Sequence, residues 1–312
     1  MSTYSIFTYQ FQRIIKGAEP EFDFDNVSSL SCKDEDWEHR QELFGSLFEG
    51  KDFDGNDIQF CHDETIYIHD VLYNKNGIIV MKIANPKKRK INNIQLTLAE
   101  VDDYPWCYAI WDNRNNIQRL LIERKPKAWP NSKNHLGTES VSKILAFNID
   151  RWMSCKGMHF EVGDGPTYPR STFWEVVEKN PMGFSRVHFS FPPLNLGRLL
   201  NLADNVDAIR YETGGGFDAD LKAPKDGILT LSPSNPQTSS MVNLSSAGGF
   251  DVKLYLKGGH TYINVSGDDK KNPVVAEVPD ALLPLLKKPD FFHRENLESL
   301  TEILNNIKTL YE

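Results

Sequence analysis

Pairs of β-rich segments separated by short turn sequences are the feature that most restricts how this chain can fold. Three such pairs occur, within residues 66–84, 106–123 and 251–267. The first pair is joined through Asn76-Gly77, whose residues readily adopt the positive φ angles of a tight hairpin turn. Gly258-Gly259 serves the same purpose in the third pair, and this turn predicts that Leu254 lies opposite Ile263. Strands joined in this way pair antiparallel, so the sequence predicts antiparallel sheets.

Segments with helical periodicity separate these pairs. Apolar residues recur at helical spacing in residues 34–50, 138–155, 196–211 and 294–311. A capping box marks the start of a shorter helix at Thr172. Residues 232–248 are rich in Ser, Asn and Gly, and we expect them to form a mobile loop. The combination predicts an α+β fold, with antiparallel β hairpins and sheets packed against helices.

A connection with two prolines, at residues 126–135, divides the predicted elements into two lobes. Residues 1–130 are expected to form a mainly antiparallel β N-terminal lobe with one early helix. Residues 131–312 are expected to form an α+β C-terminal lobe that ends in an amphipathic helix. That final helix either docks on the chain's own core or pairs with a second subunit, which would produce a homodimer.

Cysteine usage and hydropathy exclude several classes of protein. The four cysteines are at least 29 residues apart in sequence, so neither a disulfide framework nor a zinc knuckle is predicted. Cys61, His62 and His69 form a Cys/His cluster, but we favour thiols without a metal and expect no cofactor. No apolar run approaches the roughly 18 residues that span a bilayer, and the first ten residues lack the apolar core of a signal peptide. We therefore expect a cytoplasmic protein without membrane insertion.

The net charge of −8 conceals an uneven distribution. Residues 1–81 carry a net charge of −10, residues 82–133 carry +6 and the remainder carries −4. The positive segment, here called the basic block, contains the run Lys87-Lys88-Arg89-Lys90. A local excess of cations can attract phosphates even when the whole molecule is an anion. The alternative is that the basic block contacts the chain's own acidic first third.

Aromatic residues interleave with cations in the second predicted hairpin. Alternation along its first strand assigns Cys107, Ala109 and Trp111 to the core. The opposite face is more polar and is where we expect a ligand, since it carries Trp106, Tyr108, Arg119, Glu123 and Lys125. Bases stack on such rings while neighbouring cations meet phosphates, so the pattern is typical of a nucleic-acid-binding surface.

The sequence Glu123-Arg-Lys125 also suggests a metal-dependent nuclease. In such enzymes two acids bind Mg²⁺ and a lysine offsets charge at the scissile phosphate. If residues 113–116 form the turn of the second hairpin, Asp102 lies opposite Lys127 and on the same face as Glu123 and Lys125. Asp102, Glu123 and Lys125 are therefore the candidate catalytic residues of this alternative.

Other catalytic motifs are absent from the sequence. No Walker sequence follows a glycine cluster, and neither Gly-x-Ser-x-Gly nor His-Glu-x-x-His occurs. His188 lies inside a predicted strand, and we interpret it as a half-buried structural residue and not as a general base. The sequence therefore favours a function other than catalysis.

The order of elements resembles a loose group of prophage and bacterial anti-phage proteins, among them the Rex-type exclusion protein A of phage lambda. The resemblance rests on the hairpin at residues 66–84, on the segment Tyr104-Pro-Trp-Cys-Tyr-Ala-Ile-Trp-Asp-Asn-Arg114 and on the strand that ends in Ile122-Glu123. A long helix and β-rich C-terminal hairpins follow, so the likeness covers residues 60–265 in layout. It implies a cytoplasmic, two-lobed, dimeric DNA-binding protein that senses phage replication and triggers a partner effector.

We therefore predict a non-enzymatic nucleic-acid-binding or sensor component of a phage-defence or exclusion system, with DNA and a protein effector as partners. Trp106 and Tyr108 would stack on bases. Phosphates would be contacted by Lys87, Lys88, Arg89, Lys90, Arg119, Arg124, Lys125 and Lys127. Besides the nuclease, a further alternative is a protein-interaction subunit or phage-encoded inhibitor that presents acidic residues 19–64 to a basic partner.

Overall fold

The fold was analysed in a computed structural model of the chain. The described residues are 1–14, 31–92, 98–114, 117–132, 136–163, 165–168, 171–191, 217–225, 227–248, 250–257, 262–265, 274–286 and 291–309. The predicted helix at residues 196–211 and the predicted turn at Gly258-Gly259 lie outside them.

Eight consecutive strands, β2 to β9, separate the first helices from the later ones in the described part of the chain. The strands are β1 (Ser2–Arg13), β2 (Phe60–His62), β3 (Thr65–Tyr67), β4 (His69–Lys75), β5 (Ile78–Ala84), β6 (Lys87–Asn92), β7 (Leu98–Asp103), β8 (Trp106–Asp112), β9 (Arg119–Glu123), β10 (Met158–Val162), β11 (Phe184–Phe191), β12 (Phe217–Lys222), β13 (Val252–Leu256), β14 (Tyr262–Asn264) and β15 (Val275–Val278). The α-helices are α1 (Asp34–Glu38), α2 (Arg40–Ser46), α3 (Gly137–Ser154), α4 (Ser171–Lys179), α5 (Pro236–Gly248), α6 (Leu282–Leu285) and α7 (Phe291–Thr309). All strand pairs with a described register are antiparallel, which confirms the predicted α+β class. No helix in the described part of the chain is long and apolar enough to cross a membrane.

Two compact units divide the chain. Unit 1 contains Met1–Ser5, His39–Trp152 and Ala276–Thr309, and unit 2 contains the described parts of Ile6–Glu38 and Met153–Val275. Each unit therefore combines separate segments of sequence. The boundary expected near residue 130 does not coincide with this division, because most of α3 belongs to unit 1.

The sheet of unit 1 has the strand order β4-β5-β8-β9, followed by the first residues of β1. The β4–β5 hairpin forms as predicted: Asn76 and Gly77 have φ angles of 54° and 72°, and Lys75 pairs with Ile78. Positive φ at both central residues matches the right-handed twist of the paired strands. A Cβ atom at position 77 would also lie 3.1 Å from the backbone of Arg114, so the positive φ and this tight contact both favour glycine there.

The β8–β9 hairpin has a longer turn than predicted. Asp112 pairs with Arg119, so the predicted register is wrong by two residues. Tertiary contacts lengthen the turn, because the Asn113 side chain donates to the carbonyl of Gln41 at 2.8 Å and Arg114 folds back onto Asp112. A shift of two preserves the faces of the strands, and the predicted core residues Cys107, Ala109 and Trp111 are fully buried.

Two further strands, β6 and β7, lie between β5 and β8 in the sequence. β6 and β7 form a separate two-stranded sheet, called the ribbon below, which departs from β5 and returns to β8. Its register pairs Lys88 with Asp102 and Lys90 with Glu100. The prediction that Asp102 lies opposite Lys127 is therefore wrong.

The C-terminal helix α7 docks on unit 1 itself. Leu300, Leu304 and Ile307 are at most 4% exposed within the single chain. Asn305 accepts a hydrogen bond from the Arg114 guanidinium at 2.8 Å. Of the two roles predicted for this helix, docking on the chain's own core is the one observed. The three apolar residues are buried there, so they are not available for pairing with a second subunit.

Unit 2 contains a four-stranded sheet in the order β12-β11-β13-β14. Leu254 lies opposite Ile263, which confirms the predicted register of the third hairpin. The mobile loop expected at residues 232–248 is wrong, because α5 occupies most of it. Asn235 caps the first turn of α5 by accepting hydrogen bonds from two backbone N–H groups, and Val242 and Leu244 are buried in the unit 2 core.

Candidate nucleic-acid interface

The topology of unit 1 gathers most of the basic block at one end of its sheet. β5 ends at Ala84, which pairs with Trp106 at the start of β8. β9 runs antiparallel to β8 and ends at Glu123 beside the same edge. Because the ribbon leaves and re-enters the sheet here, the cations before Asn92 and those after Glu123 converge on this end.

Lys87 connects the two groups of cations through hydrogen bonds. The Lys87 ammonium donates to the carbonyl of Ala128 at 2.7 Å and to that of Lys127 at 3.3 Å. The Asn85 side chain donates to the same Ala128 carbonyl at 2.9 Å. This contact, called the Lys87 clasp, holds the base of the ribbon against the segment that carries exposed Lys127. Lys87 itself is thus a positioning residue and is not free to contact a phosphate in this arrangement.

The ribbon is solvent-exposed on both faces. Lys88, Arg89 and Lys90 are all exposed, as are Ile91 and Val101. An isolated pair of strands is only marginally stable in water, so the ribbon contributes little to a core. It presents three cations to solvent at the end of the sheet where Lys127 lies.

Acidic residues face the cations across the ribbon. The register places Asp103 opposite Lys87, Asp102 opposite Lys88 and Glu100 opposite Lys90. The Lys90 ammonium lies 3.8 Å from a Glu100 carboxylate oxygen, and both side chains are more than half exposed. Among the described residues, the acids that lie opposite these cations come from the neighbouring strand β7.

A second set of cations is held on the sheet itself. The Lys125 ammonium lies 3.7 Å from the centroid of a Trp106 ring, and the Lys82 ammonium lies 4.4 Å from it. Attraction between an ammonium ion and the negative face of an indole stabilises both contacts. These residues with Tyr108 and Glu123 are called the Trp106 cluster.

The Trp106 cluster does not offer the predicted stacking surface. The Trp106 ring already faces two ammonium groups, so a base would have to displace a lysine to stack on it. Tyr108 is only 6% exposed and contacts Trp106 edge to face, with ring centroids 4.9 Å apart. Burial, reinforced by the nearby Glu123 charge, raises the pKa of the Tyr108 hydroxyl. These rings stabilise the end of the sheet.

Glu123 is the buried anchor of this cluster. It is 6% exposed, and its carboxylate accepts hydrogen bonds from the backbone N–H of Tyr108 at 3.1 Å and from the Ser2 hydroxyl at 3.0 Å. The Lys125 ammonium lies 3.8 Å away. The Ser2 hydroxyl is also 2.6 Å from Asp280, whose pKa is lowered by hydrogen bonds from Ser2 and from the N-terminal amine. Glu123 therefore has structural partners on both carboxylate oxygens.

The strand register on which the nuclease alternative depended is not observed. Asp102 lies on the ribbon opposite Lys88, and Glu123 lies on the sheet with its oxygens already bonded. No group of three His, Cys, Asp or Glu side chains in the described residues is placed to hold a metal ion. Cys61, from the predicted Cys/His cluster, hydrogen-bonds the side chain of Asn148 through its backbone N–H.

Two predicted phosphate ligands lie elsewhere. Arg119 pairs with Asp112 at the opposite end of β8, about 20 Å from Trp106 for a strand of seven residues. Arg124 donates to the buried Ser5 hydroxyl at 2.9 Å, and burial lowers the pKa of its guanidinium. The structure therefore places Lys88, Arg89, Lys90 and Lys127 at the same end of the sheet as Lys82 and Lys125. It places Arg119 at the other end and turns the Arg124 guanidinium towards Ser5. The sequence analysis missed Lys82, whose position on β5 opposite Tyr108 depends on the register.

Unit 2 carries a different polar face, around His188. The His188 Nδ1 atom lies 3.0 Å from Asp220, which also accepts two hydrogen bonds from the Arg186 guanidinium. The His188 side chain is 17% exposed. This arrangement fits the structural role predicted for His188.

Comparisons with known proteins give no relative. No protein-family model matches the chain, and no curated protein or solved structure matches it. The resemblance to anti-phage proteins therefore stays a prediction from the sequence.

Proposed function

We propose that the protein is a non-enzymatic nucleic-acid-binding or sensor component of a phage-exclusion system and that it contacts phosphates through one end of unit 1. The observation that carries the proposal is the Lys87 clasp. It joins the exposed run Lys88-Arg89-Lys90 to exposed Lys127, two parts of the basic block that are 37 residues apart in sequence. We call this surface the basic interface.

The charge distribution supports a phosphate ligand. Exposed lysine and arginine side chains release condensed counterions when they meet a nucleic acid, and this supplies most of the affinity of non-specific binding. Lys88 and Arg89 extend from a ribbon without a covering layer, so a phosphate backbone can approach them. The net charge of −8 makes binding dependent on this local surface and on low ionic strength.

The remaining parts of the proposal rest on the resemblance in sequence. It supports DNA as the nucleic acid, a cytoplasmic location and a partner effector that responds to phage replication. The contacts of Glu123 favour binding over catalysis, because both of its carboxylate oxygens accept hydrogen bonds from the protein.

A gel-shift measurement with labelled double- and single-stranded DNA tests the proposal. It compares about 50 and 200 mM salt, with Mg²⁺ and with EDTA, and uses the full chain. We expect a shift that weakens with salt and leaves the DNA intact in both buffers. Lys127→Glu should weaken the shift, whereas Lys225→Glu, which changes an exposed lysine of unit 2, should not.

Two other results would favour one of the alternative functions. DNA that is shortened only with Mg²⁺, and not by a Lys125→Ala variant, would indicate the nuclease. The absence of any shift at low salt would reject nucleic-acid binding and favour the protein-interaction subunit with its acidic residues 19–64.

A further inference from the structure

One face of the unit 2 sheet is polar and carries two tyrosines. Side chains alternate between the two faces of a strand, and Val187, Phe189 and Leu254 are fully buried on the face that forms the unit 2 core. On the opposite face, the strand register aligns four side chains in one row across β12, β11, β13 and β14. This row, called the tyrosine row, consists of Lys222, Arg186, Tyr255 and Tyr262.

Tyr262 is accessible to a planar ligand. It is 47% exposed, whereas Tyr108 in the Trp106 cluster is 6% exposed. The centroid of its ring lies 5.4 Å from that of Tyr255. The Lys253 ammonium lies 5.5 Å from the Tyr262 centroid, whereas two ammonium groups lie 3.7 and 4.4 Å from the Trp106 centroid. A base can therefore reach the Tyr262 ring without first displacing a closely held lysine.

Arg186 provides a second flat group in the row. Its guanidinium carbon lies 4.9 Å from the centroid of the Tyr255 ring, and its side chain is 35% exposed. Asp220 accepts hydrogen bonds from the guanidinium at 2.6 and 3.0 Å, and the His188 Nδ1 atom lies 3.0 Å from the same carboxylate. Two hydrogen bonds fix the plane of a guanidinium as well as its position. Asp220 is therefore a positioning residue for Arg186, and His188 supports it.

We propose that the tyrosine row binds a short stretch of single-stranded nucleic acid, with one base stacked on Tyr262 and another on the Arg186 guanidinium. The inference goes beyond the proposed function, because it assigns a second site, on unit 2, that does not depend on the basic interface. Unpaired bases stack on aromatic rings and on guanidinium planes, and four-stranded sheets of RNA-recognition modules stack two or three bases in this way. The bases of a duplex are paired and stacked on each other, so the row cannot reach their faces.

The charges around the tyrosine row suit a phosphate backbone. The Lys222 side chain is 67% exposed at one end of the row, and the Lys253 ammonium lies beside the ring at the other end. The Asp220 carboxylate is 2.6 Å from the Arg186 guanidinium and 3.9 Å from the Lys222 ammonium, so its charge is offset. Two lysines give fewer phosphate contacts than the four cations of the basic interface, so we expect the tyrosine row to be the weaker site.

A competition measurement separates this site from the basic interface. Fluorescence anisotropy follows a labelled oligothymidine of about 12 nucleotides with the full chain, in an excess of unlabelled duplex of unrelated sequence. The duplex occupies the basic interface but offers no unstacked base to the tyrosine row. We expect the labelled strand to stay bound in the presence of the duplex.

Substitution of Tyr262 tests whether stacking holds that strand. Tyr262→Ala should weaken its binding roughly tenfold, because one stacked base is lost. Tyr262→Phe keeps the ring and should bind as the wild type does. Phe147→Ala is the matched control, since Phe147 is a 54% exposed ring on α3 of unit 1, and it should leave Kd unchanged.

The outcomes distinguish this inference from the proposed function. Complete displacement of the labelled strand by the duplex, or equal losses in Tyr262→Ala and Phe147→Ala, would overturn the second site and leave the basic interface in place. A chain that binds the single strand through Tyr262 but binds no duplex would support the tyrosine row and reject the basic interface. Should Tyr262→Ala lose its thermal transition, Lys253→Met provides the test. It should lower the slope of log K against log salt for the labelled strand by about 0.7, and an unchanged slope is the contrary result.

Discussion

The ribbon and the Trp106 cluster contain the same kinds of residue, yet the fold uses their charges in opposite ways. On the ribbon, Lys88, Arg89 and Lys90 extend into solvent opposite exposed acids. In the cluster, Lys82 and Lys125 lie over an indole ring, and Lys125 is within 3.8 Å of buried Glu123. Ribbon cations can exchange partners without a change in packing, whereas cluster cations cannot.

This difference teaches that a count of basic residues does not locate a binding surface. Lys125 and Lys127 are two residues apart, but the first is part of the cluster and the second is exposed on the basic interface. Substitutions in the ribbon should therefore alter binding and leave stability unchanged, while substitutions in the cluster should do the reverse.

The largest effect is expected from reversing the ribbon charges. Lys88→Glu/Arg89→Glu/Lys90→Glu should weaken DNA binding on the order of 100-fold at low salt, and the slope of log K against log salt should fall by about 3. The new carboxylates lie opposite Asp102 and Glu100 and repel them within the ribbon, but the melting temperature should change little because the ribbon contributes little to a core. Gel shifts across a salt series measure the first effect and calorimetry the second. Unaltered binding would remove the ribbon from the basic interface.

A smaller effect, on stability, is expected in the cluster. Glu123→Ala leaves the buried N–H of Tyr108 without its acceptor, while the Ser2 hydroxyl keeps Asp280, and should lower the free energy of unfolding by about 1–3 kcal/mol. Glu100→Ala is the exposed control and should change it little. Chemical denaturation measures both variants. Equal stability of the two would show that Glu123 is not the anchor that its contacts indicate.

Breaking the Lys87 clasp should weaken DNA binding less than reversal of the ribbon charges does. Lys87→Met keeps most of the aliphatic chain but loses the hydrogen bonds to the carbonyls of Lys127 and Ala128. We expect roughly a fivefold loss of DNA affinity, since Lys127 is no longer held beside the ribbon, with a salt slope that falls by at most about 1. A drop in slope as large as that of the triple reversal would mean that Lys87 organises all of the phosphate contacts.

The smallest expected effect is a change in the stability of unit 1 with pH. His69 pairs with Ile83 on β5 next to Lys82, and burial lowers its pKa below the ordinary 6.5. The unfolded chain therefore takes up the proton first, so stability should fall as pH drops through about 6.5 and level off below the folded pKa. His69→Asn should remove this part of the pH dependence, whereas His159→Asn, at an exposed site, should retain it. Urea midpoints between pH 8 and 5 measure the difference.

Local sequence was sufficient where a turn controls the pairing. The β4–β5 hairpin and the register of β13 with β14 follow from Asn-Gly and Gly-Gly turns and from alternating side chains. The β8–β9 register did not follow, because Asn113 and Arg114 make contacts with Gln41 and Asn305, which are distant in sequence. Helix α5 was missed for a similar reason, since its Ser- and Asn-rich sequence is stabilised by Val242 and Leu244 in the unit 2 core.

The same distinction between local sequence and tertiary contacts applies to the candidate site. The sequence by itself determined the antiparallel α+β class, the burial of Cys107, Ala109 and Trp111 and the identity of the cations, since these depend on periodicity, turn residues and composition. The expected polar, ligand-facing side of β8 was wrong, because Tyr108, Ile110 and Asp112 are buried as well. Only the tertiary structure decided that β7 carboxylates face the basic run, that Arg119 lies at the other end of β8, that Arg124 bonds Ser5, and that Lys87 joins Lys127 to the ribbon. These outcomes depend on strand register and on contacts between residues far apart in the chain, and neither has a local signal in the sequence.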